Sequence, residues 1–280
     1  MKIGCVDVGG GVRDIYGAGI YDYLMDEGIL LDYCIGVSAG SGNSASYVAS
    51  QRGRNKMFYL DYLLRKEAIS TANFFRTGSF LDLNYIYGTI CAKDGENPLD
   101  YSALTKSKTD LTVVATDATT DEATYFNKQK DMSENDYKIL MASSCLPVFC
   151  KPISINGKKY YDGGLSDPIP FKKALESGCD KIIVILTKPL NAQLNQNRNS
   201  LGASVLKRKY PNFSKSMNSA ADIYTQQLKE LLELQNSEKA LILAPDDIMG
   251  LGTLTRKTDK LIKLYENGYR DATKIKEFLK

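Results

Sequence analysis

The sequence has no histidine anywhere in its 280 residues. That absence excludes Ser-His-Asp triads, Cys-His dyads, HExxH metal sites and HxE deaminase sites in one step. No extended apolar stretch is present either. The densest, around Lys181-Ile-Ile-Val-Ile-Leu, is strand-length and far short of the 18 or more apolar residues that suggest a membrane span. The N-terminus begins in a strand-like segment, without the charged and apolar regions of a signal peptide. These features predict a cytoplasmic protein.

A marked excess of either charge is lacking too. Lysine and arginine number 36 against 33 acidic residues, a net charge of +3 with no single basic block, which gives no argument for nucleic acid. The six cysteines (Cys5, Cys34, Cys91, Cys145, Cys150 and Cys179) form no CxxC pair and lie mostly in apolar segments. They read as small buried hydrophobes in a reducing compartment. A cysteine nucleophile would lack its histidine base, and a zinc site would need thiolates alone at irregular spacing.

What is present is an ordinary globular composition, 43% hydrophobic and 25% charged. Strand-like residues 2–8 run into three glycines, and Tyr16 to Glu27 has helical spacing closed by Gly28. A buried strand from Tyr33 to Val37 precedes a helix from about Ala39 to Ser50. Strands at Leu111–Thr116, Thr124–Asn127, Lys181–Leu186 and Ala240–Leu243 follow, with helices at Ser133–Ser144 and Phe171–Glu176. A hairpin is expected around Asn156-Gly157. Residues 68–103 read as an excursion of short helices and loops, 188–200 as a mobile loop, and the part from Leu201 as mainly helical. The order predicts a three-layer α/β/α fold with a mostly parallel central sheet, in a single domain over 1–280.

Three motifs fall at strand ends, the edge where open α/β sheets build their sites. Gly36-Val37-Ser38-Ala39-Gly40 has the form of a nucleophile elbow, with small neighbours where a strained turn needs them; a serine that only caps a helix is the plainer reading. Gly9-Gly10-Gly11 lacks the residues of a P-loop or dinucleotide fingerprint. It is either a tight turn or a set of amides that hold an anion. Tyr160-Tyr161-Asp162-Gly163-Gly164 is either a turn or a carboxylate placed where another strand can approach. Together they supply a nucleophile, a proton acceptor and electrostatic stabilisation without histidine.

In this combination the sequence resembles the bacterial cytoplasmic branch of the patatin-like phospholipases. The resemblance runs through GGGVRDIYGAGIYDYL, IGVSAGSGN, TVVATDATT, ASSCLPVF and YYDGGLSDPIP, covers residues 1 to about 187 and fades beyond. It implies a serine acyl hydrolase that cleaves carboxylic esters of lipids, phospholipid or lysophospholipid, with no metal or organic cofactor. It implies Ser38 as nucleophile, Asp162 as proton acceptor, and the backbone of Gly9, Gly10 and Gly11 as oxyanion hole. Arg13, Gly36, Ala39, Gly40, Gly163 and Gly164 are motif neighbours. The family pattern GGGxRG ends here in Asp14, which either opposes an oxyanion or simply caps the helix or pairs with Arg13; the second is expected. Asp14 also keeps open a slow acyl- or lipid-binding regulator, beside an esterase or thioesterase for short soluble acyl groups. Should Asp162 not be the base, Asp117 and Asp167 are the other carboxylates to consider. Lys207-Arg208-Lys209 and Lys215, flanking Tyr210 and Phe213, form either a solvated surface segment or a site of weak peripheral contact with a membrane.

Overall fold

Four strand segments rich in apolar residues form the middle of one sheet. β1 (Ile3–Asp7), β2 (Tyr33–Val37), β3 (Asp110–Asp117) and β7 (Lys181–Ile185) are buried over nearly their whole length. Such continuous burial fits parallel strands covered on both faces. β8 (Ala240–Leu243) extends the set, giving a parallel order β3-β2-β1-β7-β8. β4 (Ala123–Asn127), β5 (Ile153–Ile155) and β6 (Lys158–Asp162) add antiparallel pairs at the β3 side.

The coordinates are those of a computed structural model that describes residues 1–192 and 211–280, without the side chains of 211–218. The basic-aromatic segment Lys207 to Tyr210 therefore lies outside the described residues, as do the side chains of Phe213 and Lys215 and most of the 188–200 loop.

Alternate strand residues feed two apolar layers. Cys5, Cys34, Val113 and Ile183 face one, and Val6, Ile35, Val114 and Val184 face the other. The first layer is covered by α1 (Ile15–Asp26), α2 (Ala39–Val48) and the helix Thr258–Asp271. On the second, Phe171 and Ala174 of the helix Phe171–Glu176 pack with Leu231 of the helix Pro211–Asn236. This is the expected α/β/α arrangement around a mixed, mostly parallel sheet. All six cysteines are buried free thiols.

One element is shorter than its pattern predicts. The helix expected over Ser133–Ser144 covers only Lys138–Ser143. Residues 133–137 close a turn instead, with the Asp136 amide on the Ser133 carbonyl and Asn135 at a φ of 61°. Asn and Asp favour such turns through their own side-chain bonds, and that local competition wins over the helix.

The sheet register brings distant residues together. β4 pairs with Thr112–Thr116 along one edge of β3, so β2 and β6 must share the other edge end to end. Val37 aligns with Val114, and Asp162 with the next residue, Ala115. β2 and β6 run in opposite directions and stop at the same point, which places Ser38 beside Asp162.

Candidate active site

Ser38 sits at φ 55° and ψ −128°, in backbone space that a non-glycine residue rarely occupies. Strain of this kind costs roughly 1–3 kcal/mol and persists only where the surroundings hold it. Here the Ser38 amide donates to Ser143 Oγ at 2.8 Å. Its carbonyl accepts from the Ser41 amide at 3.0 Å and the Ser41 hydroxyl at 2.6 Å. The turn also needs bare neighbours. A Cβ on Gly36 would lie 2.5 Å from Ser41 Cα, and one on Gly40 2.5 Å from the Asp7 carbonyl oxygen. The Ser38 side chain makes no capping bond to α2, so helix capping does not account for it.

Asp162, at the end of β6, is buried beside Ser38 and accepts the Gly164 amide at 2.9 Å. Its own amide is fixed to the Cys145 carbonyl at 2.9 Å and its carbonyl to Thr116 Oγ1 at 2.8 Å. Burial pushes the carboxyl up to about 6, against the opposing influence of the Ser38 hydroxyl and the Gly164 amide. Gly163 is held so close to β3 that a Cβ would lie 2.3 Å from the Val114 carbonyl oxygen. The other candidate carboxylates are engaged elsewhere. Asp167 accepts from Tyr125 and Gln227 at 2.7 and 2.6 Å, and Asp117 from the Thr119 amide at 2.8 Å.

The glycine loop follows β1 with φ values of 66°, 147° and 62° at Gly9, Gly10 and Gly11. One part of the expected oxyanion hole needs correction. The Gly9 amide points into the core and donates to Asp7 Oδ1 at 3.1 Å, so it is not available to a substrate. What Gly9 contributes is steric, because a Cβ there would lie 2.2 Å from the Val37 carbonyl oxygen. The Gly10 and Gly11 amides have no acceptor among the described residues, and both glycines line the cleft above Ser38. Arg13 lines it too, its guanidinium against Gly10.

Asp14 also departs from expectation. It stands at the N-terminus of α1, yet its side chain caps no amide. The carboxyl is fully buried beside Asp7, and neither oxygen meets a protein donor. Asp7 does have donors, the Gly9 amide and Asn43 Nδ2 at 3.4 Å. The proton of the pair therefore belongs on Asp14, whose neutral carboxyl donates to Asp7. Burial and the neighbouring Asp7 charge push Asp14 well up, with Arg13 opposing. Neutral Asp14 adds no charge near the loop.

Ser38 lies where two cavities meet. One is narrow and apolar, about 70 Å³, lined by Phe58, Leu63, Leu83 and Ile86 among others. The other is a wider cleft of about 250 Å³ that contains Asp162, Arg13, Lys188 and Tyr224. Sequence reasoning missed Asp7 and Ser143. Ser143 lies within the ASSCLPVF stretch, so a signal existed, but nothing local marked which serine would reach Ser38.

A family model described as patatin-like phospholipase matches residues 8–175, spanning the glycine loop, the elbow and the Asp162 turn. The chain belongs to the patatin-like phospholipase family. Membership in the patatin-like phospholipases supports hydrolysis of acyl lipids in general. A second model, described as a domain of unknown function (DUF6363), matches residues 210–280. The chain is also 30% identical over 193 residues to the uncharacterized protein YjjU of Escherichia coli (strain K12), which covers 67% of this chain and 52% of that protein. It thus spans about half the length of that relative. Among solved structures, VipD from Legionella pneumophila superposes with a TM-score of 0.49 at 13% identity, over 98% of this chain and 66% of that one. No helix among the described residues is long and apolar enough to cross a membrane.

Proposed function

We propose that this patatin-like protein is a serine hydrolase of lipid carboxylic esters, phospholipid or lysophospholipid, acting through an acyl-Ser38 intermediate. The observation that carries the reading is Ser38, on a strained backbone turn, set by the sheet register beside a buried Asp162 whose carboxyl is raised to about 6. An ordinary carboxylate is too weak a base for this step, and burial brings it nearer the working range.

Ser38 Oγ attacks the ester carbonyl carbon while Asp162 takes its proton. The carbonyl oxygen becomes an anion, and the Gly10 and Gly11 amides receive it. The carbon–oxygen bond to the alcohol then breaks, and Asp162 returns the proton to the departing alkoxide. Water repeats the sequence with Asp162 as base and releases the fatty acid. The acyl chain occupies the apolar cavity, and the alcohol portion lies in the wider cleft near Arg13 and Lys188. A slow binder drew its support from Asp14, and a neutral Asp14 does not oppose the oxyanion.

A fluorophosphonate probe tests the reading. It should label the peptide containing Ser38, and Ser38→Ala should abolish labelling and lower esterase activity by at least about 10³-fold in a folded protein. Retained turnover in Ser38→Ala would refute it.

A further inference from the structure

An aromatic patch beside the apolar cavity takes no part in the chemistry above. The helix Thr71–Thr77 carries Phe74 and Phe75, and Phe80 stacks on Phe74 with ring centroids 4.6 Å apart. Phe149 meets Phe80 edge-on at 6.1 Å, and the Phe80 amide donates to the Phe149 carbonyl at 2.7 Å. Phe75 is 86% exposed, while Val148, Phe74 and Phe149 are each more than 40% exposed. Contiguous exposed apolar surface of this kind marks a place where something binds. Val148 has a φ of 71°, which a β-branched residue rarely adopts, so the backbone holds an apolar side chain at the surface under strain.

Two further observations say what covers the patch. The first is continuity with the site. Leu81 follows Phe80 and Leu146 lies two residues before Val148, and both line the cavity that reaches Ser38. The second is charge. Residues 68–81 hold one charged side chain, Arg76, and residues 143–151 hold one, Lys151; neither stretch has a carboxylate. Just outside the first stretch, Asp82 is buried and bonded to Arg76 at 2.8 Å, while Glu67 on its other side is exposed. Phenylalanines with Lys151 beside them and no acid within either stretch suit a lipid interface that carries negative head groups.

We propose that Phe74, Phe75, Val148 and Phe149 dock into the surface of an anionic lipid bilayer, setting the cavity down against it so that a lipid ester reaches Ser38 without crossing water. The inference rests on the lipid-ester reading of the site, and its test reads binding without turnover.

The chain has no tryptophan, so Phe75→Trp provides a single reporter at the most exposed position. Its emission should shift to the blue when vesicles of phosphatidylglycerol and phosphatidylcholine are added. In sedimentation with the same vesicles, Phe75→Ser and Phe149→Ser should each weaken binding about tenfold. Lys151→Gln should weaken it about fivefold for anionic vesicles and leave the smaller binding to pure phosphatidylcholine alone. Thermal midpoints check that each variant is folded. Absence of a blue shift, or unchanged vesicle affinity in both serine variants, overturns the proposal. So does a wild-type dimer in solution that Phe75→Ser dissociates without any vesicle binding, which would make the patch an interface between copies. A protein that cleaves a soluble ester yet ignores vesicles overturns the docking surface alone. One that docks through the patch but takes no fluorophosphonate upholds docking and overturns the hydrolase reading.

Discussion

At Asp162, burial and basicity are one physical fact, and the pH dependence carries its sign. The carboxyl is raised from its ordinary value to about 6, so the folded chain holds a proton that the unfolded chain has lost between about pH 4 and 6. Stability contributed there falls as pH rises through that window, by about 3 kcal/mol for a shift of about two units. Asp162→Asn removes this cost, and it should be more stable than the wild type at pH 8 and not at pH 4, as read by urea denaturation. Under the proposed chemistry the same substitution should lower turnover nearly as far as Ser38→Ala, with the double variant no worse than either. Wild-type activity should fall as pH drops through about 6, where Asp162 takes up its proton. Asp14 gives a separate test. Its neutral carboxyl and an asparagine amide both donate to Asp7, so Asp14→Asn should keep stability and activity near wild type. Asp14→Ala strips Asp7 of a donor and should cost about 1–3 kcal/mol. Ser38, Asp162 and the glycine loop are legible in the sequence because each sits in a short pattern that strand ends require. Asp7 is not, because an aspartate within a strand shows its role only when Gly9 and Asn43 close around it.

The elements are as readable as their periodicity is strong. β2, β7 and β8 and the helix Phe171–Glu176 fall close to where their apolar patterns place them. The helix Lys138–Ser143 does not, since turn chemistry in Asn135 and Asp136 acts over a shorter range than the pattern. The meeting of β2 and β6 end to end on β3 has no sequence signal at all, because pairing partners leave no mark on local spacing. Nor does the crossing of α1 with the helix Thr258–Asp271. There the backbones approach so closely that a Cβ on Gly268 would lie 2.0 Å from the Tyr16 carbonyl oxygen, and one on Gly19 2.2 Å from the Tyr265 carbonyl oxygen. Tyr265 then reaches Asp22 at 2.7 Å and Tyr16 reaches Asp271 at 3.0 Å. Gly268→Ala should force the helices apart and cost about 1–3 kcal/mol or more in chemical denaturation. An unchanged denaturation midpoint would show that the crossing is looser than these distances imply.

Over the whole molecule, the family match and the physical core divide the chain differently. The patatin-like match stops at residue 175, and a separate model covers 210–280. Yet β8, from that second stretch, pairs in parallel with β7 along Ile182–Ile185. The helix Thr258–Asp271 from the same stretch lies across α1, whose Tyr16, Ile20 and Leu24 are fully buried. Large apolar side chains lose about 1.5–3 kcal/mol each when stripped of cover, and β7 would become an exposed apolar edge. We therefore propose that residues 1–280 fold as one unit, with the C-terminal stretch as part of the core. The expected outcome is a single cooperative urea transition, with tyrosine fluorescence and far-ultraviolet circular dichroism coinciding. A chain cut after residue 200 should show no cooperative transition and should bind a hydrophobic dye. Adding residues 201–280 as a separate chain should restore the transition if cover is what was lost. Two well-separated transitions in the full chain, or a truncated chain that unfolds cooperatively by itself, would mean that the stretch matched by the second model is an independent domain resting on a finished core.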